Sequence, residues 1–155
     1  MNPTAAIAIA LHLLAAAIWV GGMFFAYMAL RPAAARILEA PNRLELWTLT
    51  FGRFFPWVWL AVLVLPLSGY WMLFRVFGGM GHVGIHVHIM QGLGWLMILL
   101  FMHLYFAPYR RLRQAMANRD YPEGGRHLAR IRRIVGTNLL LGLAVIAIAG
   151  AGRMV

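Results

Sequence analysis

Residues 5–30 read AAIAIALHLLAAAIWVGGMFFAYMAL, an unbroken run from Ala5 to Leu30 with no charged side chain. About 20 apolar residues in helical conformation cross a hydrocarbon core, so this run is long enough to span a bilayer. No basic residue precedes it, and it exceeds the roughly 7–15 residues of a signal-peptide core. The run is therefore expected to be a mature helix and not a cleaved leader. Three further stretches meet the same length test, at about 54–74, 86–107 and 134–152.

The predicted fold is all-α: a single integral-membrane four-helix bundle over residues 1–155, with helices at about 5–30, 54–76, 86–118 and 128–153. Residues 31–53 mix Arg and Glu with Ala, Ile, Leu and Trp, and are expected to form a partly helical cytoplasmic interfacial loop. Composition agrees. The chain is 63% hydrophobic and 12% charged, against roughly 45–50% and about 25% in soluble domains, so lipid must solvate most of its surface. No repeat of period 20–50 and no low-complexity tract is present.

A net charge of +10 raises the question of nucleic acid. Its placement answers it. Arg31, Arg36, Arg43 and Arg53 follow the first span, and Arg110, Arg111, Arg113, Arg119, Arg126, Arg130, Arg132 and Arg133 follow the third. Only Arg75 and Arg153 fall on the other side. This is the loop bias of a membrane protein, and it places the arginine-rich side in the cytoplasm and both termini in the periplasm. Nucleic acid is excluded as a partner; the lipid bilayer is the expected one. The basic segment around Asp120-Tyr121-Pro122-Glu123-Gly124-Gly125 reads as a turn attracted to anionic head groups. Pro66-Leu67-Ser68-Gly69 is expected to kink the second helix.

The sequence has no cysteine, so disulfides and thiolate ligands are excluded. It also lacks phosphate loops, dinucleotide fingerprints, nucleophile elbows and zincin helices. Its four acidic residues, Glu39, Glu45, Asp120 and Glu123, all precede or follow the spans, leaving no intramembrane carboxylate for a proton relay. Histidine and methionine remain. Ionisable groups within a membrane are costly and generally face the bundle interior, which makes each a functional candidate. His12, His82, His86 and His88 belong at the outer end, His103 lies in the inner half of the third helix, and His127 falls in the cytoplasmic loop.

Around the outer group the chain reads Met80-Gly81-His82-Val83-Gly84-Ile85-His86-Val87-His88-Ile89-Met90. Imidazole and thioether suit copper, and thioether favours the cuprous ion. A copper site built from His12, Met80, His82, His86, His88 and Met90 is one reading. Haem b is the other. At about 100° per residue, His88, Gln91, Gly92, Trp95, Leu99, Met102, His103 and Phe106 share one face of the third helix. His12, Ala15, Ala16, Trp19, Met23 and Tyr27 share one face of the first. His12 and His88 would then be axial ligands, with Trp19 walling the porphyrin and Arg75 pairing with a propionate. His103 lies roughly 22 Å from His88 along the axis, too far to share one metal. In a third reading the histidines only join helices of an accessory subunit that has no cofactor.

The stretch His12-Leu13-Leu14-Ala15-Ala16-Ala17-Ile18-Trp19-Val20-Gly21-Gly22-Met23-Phe24 resembles the copper-resistance D (CopD) family of bacterial inner-membrane proteins. The likeness continues through His103 into Tyr109-Arg110-Arg111-Leu112-Arg113, and again at Arg132-Arg133-Ile134-Val135-Gly136-Thr137-Asn138. The resemblance implies copper handling at the inner membrane, alongside periplasmic copper proteins. The first motif is also similar to HemJ-type protoporphyrinogen oxidases, which implies a haem b oxidoreductase linked to quinone or porphyrin. Those proteins carry a lysine in the third span; here Met90 and Gln91 occupy that neighbourhood and no lysine exists. Either reading is compatible with a homo-oligomer.

Because the chain has no cysteine, single-cysteine variants report orientation directly. In intact cells Gly81→Cys is expected to react with an impermeant maleimide, and Gly125→Cys only after the membrane is permeabilised. The reverse pattern would invert the topology.

Overall fold

The computed structural model describes residues 2–152. It contains four helices long and apolar enough to cross a membrane: α1, Pro3–Ile37; α2, Ala40–Arg75; α3, Ile85–Ala117; and α4, Tyr121–Ala151. There is no strand among the described residues. The all-α four-helix bundle anticipated from the apolar runs is the fold.

The helices outrun the apolar spans at one end, and this corrects the reading of residues 31–53 as a loop. That segment is the end of α1 and the start of α2, broken only at Leu38 and Glu39. The reason is local. Alternating Arg, Glu, Ala and Leu suit a helix, and Pro41 sits in the first turn of α2, where a missing amide hydrogen is harmless. Likewise α4 begins at Tyr121 and not near residue 128. The Asp120 carboxylate accepts from the Glu123 amide at 3.1 Å and Pro122 occupies the first turn, so the stretch read as a turn is a capped helix start. The connection between α3 and α4, Asn118 to Asp120, is closed by Arg119 in the left-handed region at φ 55°.

Two turns widen to π geometry, Ala26–Leu30 in α1 and Tyr105–Tyr109 in α3. Each contains or borders the carbonyl that a proline cannot pair: Met28, inside the first turn, lies four residues before Pro32, and Leu104, just before the second, lies four residues before Pro108. The proline ring would clash with that carbonyl in a regular α-turn, and the wider turn relieves the clash. Both lie in the arginine-rich half.

α1 packs along α2, and α3 along α4, as two hairpins whose tight turns share the arginine-rich end. Close approach depends on small residues. A Cβ at Gly22 would overlap the Phe54 ring, one at Gly142 would lie 2.8 Å from Val20 Cγ2 and 3.1 Å from Met97 Cε, and one at Gly136 would lie 3.0 Å from the Tyr27 ring. Between the hairpins runs a column of aromatic rings. Phe51 stacks on Phe55 at 5.1 Å; Phe55 meets Tyr109 edge-on at 4.8 Å and Phe101 at 5.5 Å; Trp59 packs against Phe101 and Tyr105. Edge-to-face contacts of this kind add about 0.5–1.5 kcal/mol each beyond their area. Asn138 of α4, buried here, donates to the Met97 carbonyl of α3 at 3.2 Å.

Much of the outside is apolar too. Leu67 and Leu140, within the apolar stretches of α2 and α4, are 72% and 71% exposed. Such leucines in a soluble bundle would form a large sticky patch; in lipid they are the solvated surface.

Filling the space beside Gly142 should loosen the α1–α4 contact. Gly142→Val is expected to cost about 1–3 kcal/mol through overpacking and to lower the thermal midpoint in mild detergent. Gly150→Val, where nothing lies within 4 Å of an added Cβ, should change it little.

Candidate functional site

At the end away from the arginines, α1 and α2 place one imidazole inside the bundle. His12 is half-buried, on the face of α1 that also carries buried Ala15, Trp19 and Met23. Its Nδ1 lies 2.8 Å from Ser68 Oγ on α2. Room for the ring comes from Gly69, where a Cβ would stand 3.3 Å from His12 Cε1. The Ser68 hydroxyl is itself bonded to the Val64 carbonyl at 2.6 Å. A hydroxyl has one proton, and a carbonyl can only accept, so Ser68 gives its proton to Val64 and accepts from His12. The proton of a neutral His12 is thereby fixed on Nδ1, and the Nε2 lone pair is left free. Ser68 was legible only as part of a kink; its role in orienting an imidazole needed the register of two helices.

The other outer histidines do not join it in one cluster. His82 lies in a short 3-10 turn, Met80–His82, in the glycine-rich connection between α2 and α3, exposed and near Gly78. His86 lies across the end of α4, where a Cβ at Gly152 would come within 2.7 Å of its ring. His88 and Met80 are exposed, and Met90 is partly covered. Among the described residues no group of three His, Cys, Asp or Glu side chains is gathered as a metal site. Arg75 closes α2 at this end with its side chain exposed. Arg153 lies outside the described residues.

The face of α3 expected to turn inward turns outward. His88, Gly92, Trp95, Leu99, Met102, His103 and Phe106 are all exposed, whereas the buried positions include Met97, Ile98, Phe101, Leu104, Tyr109 and Leu112. Large aromatic and aliphatic groups fill the interior better than a ridge holding two imidazoles, and Trp95 satisfies its indole at the surface on Tyr70 Oη, 3.1 Å away. The axial pair of His12 and His88 is therefore not formed. Nor does the interior fit a porphyrin. Trp19 is 2% exposed and packs edge-on against Phe101, and the cavity beside them is about 20 Å³, whereas sites for organic ligands run to about 300 Å³ or more.

In the arginine-rich half, His103 lines a surface groove between α3 and α4. His127, read as a loop residue, is instead buried in α4 at 5% exposure, with Nε2 2.9 Å from a Glu123 oxygen. Nothing in the local sequence marked it, because its burial depends on the helix beginning at Tyr121.

A family model described as Copper resistance protein D matches residues 48–151. The chain belongs to that family. The CopD match takes in most of α2 and the whole of α3 and α4, so Ser68, the Met80–Met90 segment and His103 lie within it, and His12 precedes it. No curated protein and no solved structure matches the chain.

Haemin added to the purified protein is expected to give no histidine-ligated Soret band. A stoichiometric band abolished by His12→Ala would contradict the outward orientation of the α3 ridge.

Proposed function

We propose that this CopD-family membrane protein handles copper, as the cuprous ion, at the end of the bundle opposite its arginines. In this reading the chain lies in a bacterial inner membrane with the arginine-rich end in the cytoplasm, as the charge bias favours, so that copper is met on the periplasmic side. Periplasmic copper proteins are the natural donors or acceptors there.

The observation that carries the reading is the relay from His12 through Ser68 to the Val64 carbonyl. Metal-binding histidines characteristically donate their second ring N–H to an oxygen that fixes tautomer and orientation. His12 has that partner, and a neutral imidazole with a fixed free Nε2 is the borderline-soft ligand that copper accepts. Family membership supplies independent support.

The Met80–Met90 segment acts as the mouth. Its thioethers and imidazoles are the ligand types that suit cuprous copper; Met80 and His82 follow Gly78 and Gly79, which take positive φ in the connection, while His86, His88 and Met90 lie in the first turns of α3. Such a glycine-rich segment can gather ligands around an ion and let them go again. A cargo site has to release what it binds, and ligands that are separate until the ion arrives serve that end.

Competition against a cuprous chelator tests the reading. Wild-type protein is expected to bind cuprous copper, His12→Ala to lose most of that affinity, and Ser68→Ala to weaken it by about 10–100-fold through loss of orientation. Replacing His82, His86 and His88 together with alanine should abolish binding or the copper-dependent growth effect. Unchanged affinity and growth in both His12→Ala and the triple variant would remove the reading.

A further inference from the structure

The arginines of the opposite end are not spread evenly over the surface. Three of them, Arg111 of α3 and Arg130 and Arg133 of α4, converge on one groove of about 320 Å³ between the two helices, whose wall is completed by His103, Ala107, Pro108 and Ile134. Helical spacing explains the convergence. His103, Ala107 and Arg111 follow one another at four-residue steps along α3, and Arg130, Arg133 and Ile134 occupy one side of α4. The π turn containing Pro108 lies at the middle of the groove.

The charge in this groove is uncompensated from within. Among the described residues the ion pairs of this region are Arg126 and His127 with Glu123, and neither involves a groove arginine. Three guanidiniums facing one cleft repel one another unless an anion sits between them, and their fork geometry suits phosphate oxygens.

The groove also has depth. His103 lies eight residues before Arg111, roughly 12 Å nearer the other end of the helix. Beyond His103 the same face of α3 continues with Leu99 and Leu96, 59% and 44% exposed, and α4 continues beyond Arg133 with Leu140, 71% exposed. A cationic cradle that opens into an apolar furrow fits a molecule with a phosphate head and hydrocarbon tails. Free phosphate would use only the upper part.

We propose that this groove is a specific site for an anionic phospholipid. Arg111, Arg130 and Arg133 hold the phosphate, His103 donates a hydrogen bond to an ester carbonyl at the glycerol level, and the acyl chains run along Leu99 and Leu140. Basic clefts between transmembrane helices are suited to such head groups. The site is independent of the copper reading and shares no residue with it.

Native mass spectrometry of the protein released from nanodiscs of equimolar phosphatidylglycerol and phosphatidylcholine tests the proposal. Wild-type protein is expected to retain one phosphatidylglycerol after detergent washing. Arg111→Gln/Arg130→Gln/Arg133→Gln should lower that occupancy by about tenfold or more, since each basic side chain near anionic lipid contributes measurably. A control, Arg36→Gln/Arg53→Gln/Arg110→Gln, removes the same charge outside the groove and should retain the lipid. Arg36, Arg53 and Arg110 are absent from the groove lining, so equal loss in both variants would mean diffuse attraction and overturn the site. Retention in both would overturn it as well. Lipid-free protein that binds inorganic phosphate and thereby excludes phosphatidylglycerol would reassign the groove to a free anion, and a retained quinone in place of the phospholipid would equally contradict the proposal.

Discussion

Hydrocarbon as the solvent is the constraint from which this structure follows. In lipid there is no water to satisfy a backbone amide, so the chain crosses as helices. There is also little hydrophobic drive to bring those helices together, because lipid tails are as apolar as leucine. Shape has to do that work. Glycines at positions 22, 136 and 142 accept the side chains of Phe54, Tyr27 and Val20, and the aromatic column from Phe51 through Phe55 and Phe101 fills the seam between the hairpins. The same solvent explains why leucines face outward and why every polar side chain inside has a reason to be there.

Interior polar groups are few, and two of them join helices within the apolar spans. Asn138 ties α4 to the Met97 carbonyl of α3, and His12 ties α1 to Ser68 of α2. The second differs in kind from the first. The bond to Ser68 engages one ring nitrogen and fixes the other as an acceptor, so in the proposed copper reading the contact that joins the hairpin would also orient an imidazole toward a soft cation. Packing and chemistry are joined in one hydrogen bond.

The number and place of the helices were legible because twenty apolar residues in a row have few other uses. Helix ends were less so. The segments near residues 40 and 121 are polar enough to pass for loops, yet Pro41, Asp120 and Pro122 are start signals that make them helical. The inward face of α1 followed from His12, Ala15, Trp19 and Met23 at helical spacing, and these positions do face the core. The same reasoning failed on α3, where the imidazoles of His88 and His103 suggested an interior face and the actual interior is the aromatic ridge through Phe101 and Leu104. α3 is apolar nearly all round, so periodicity gave no contrast between faces, and only the packing of Phe101 against Trp19, Phe55 and Trp59 decides its rotation. Ser68 could not be assigned to His12 from sequence at all, since 56 positions separate them.

The central claim is that His12 presents a free Nε2 to copper. Nitrogen-15 NMR of histidine-labelled protein in lipid reports it directly, with the His12 resonances assigned by their loss in His12→Ala. The account predicts a neutral ring protonated at Nδ1, whose Nε2 signal moves when cuprous copper is added. A ring protonated at Nε2, or an Nε2 signal that copper leaves in place, would contradict it.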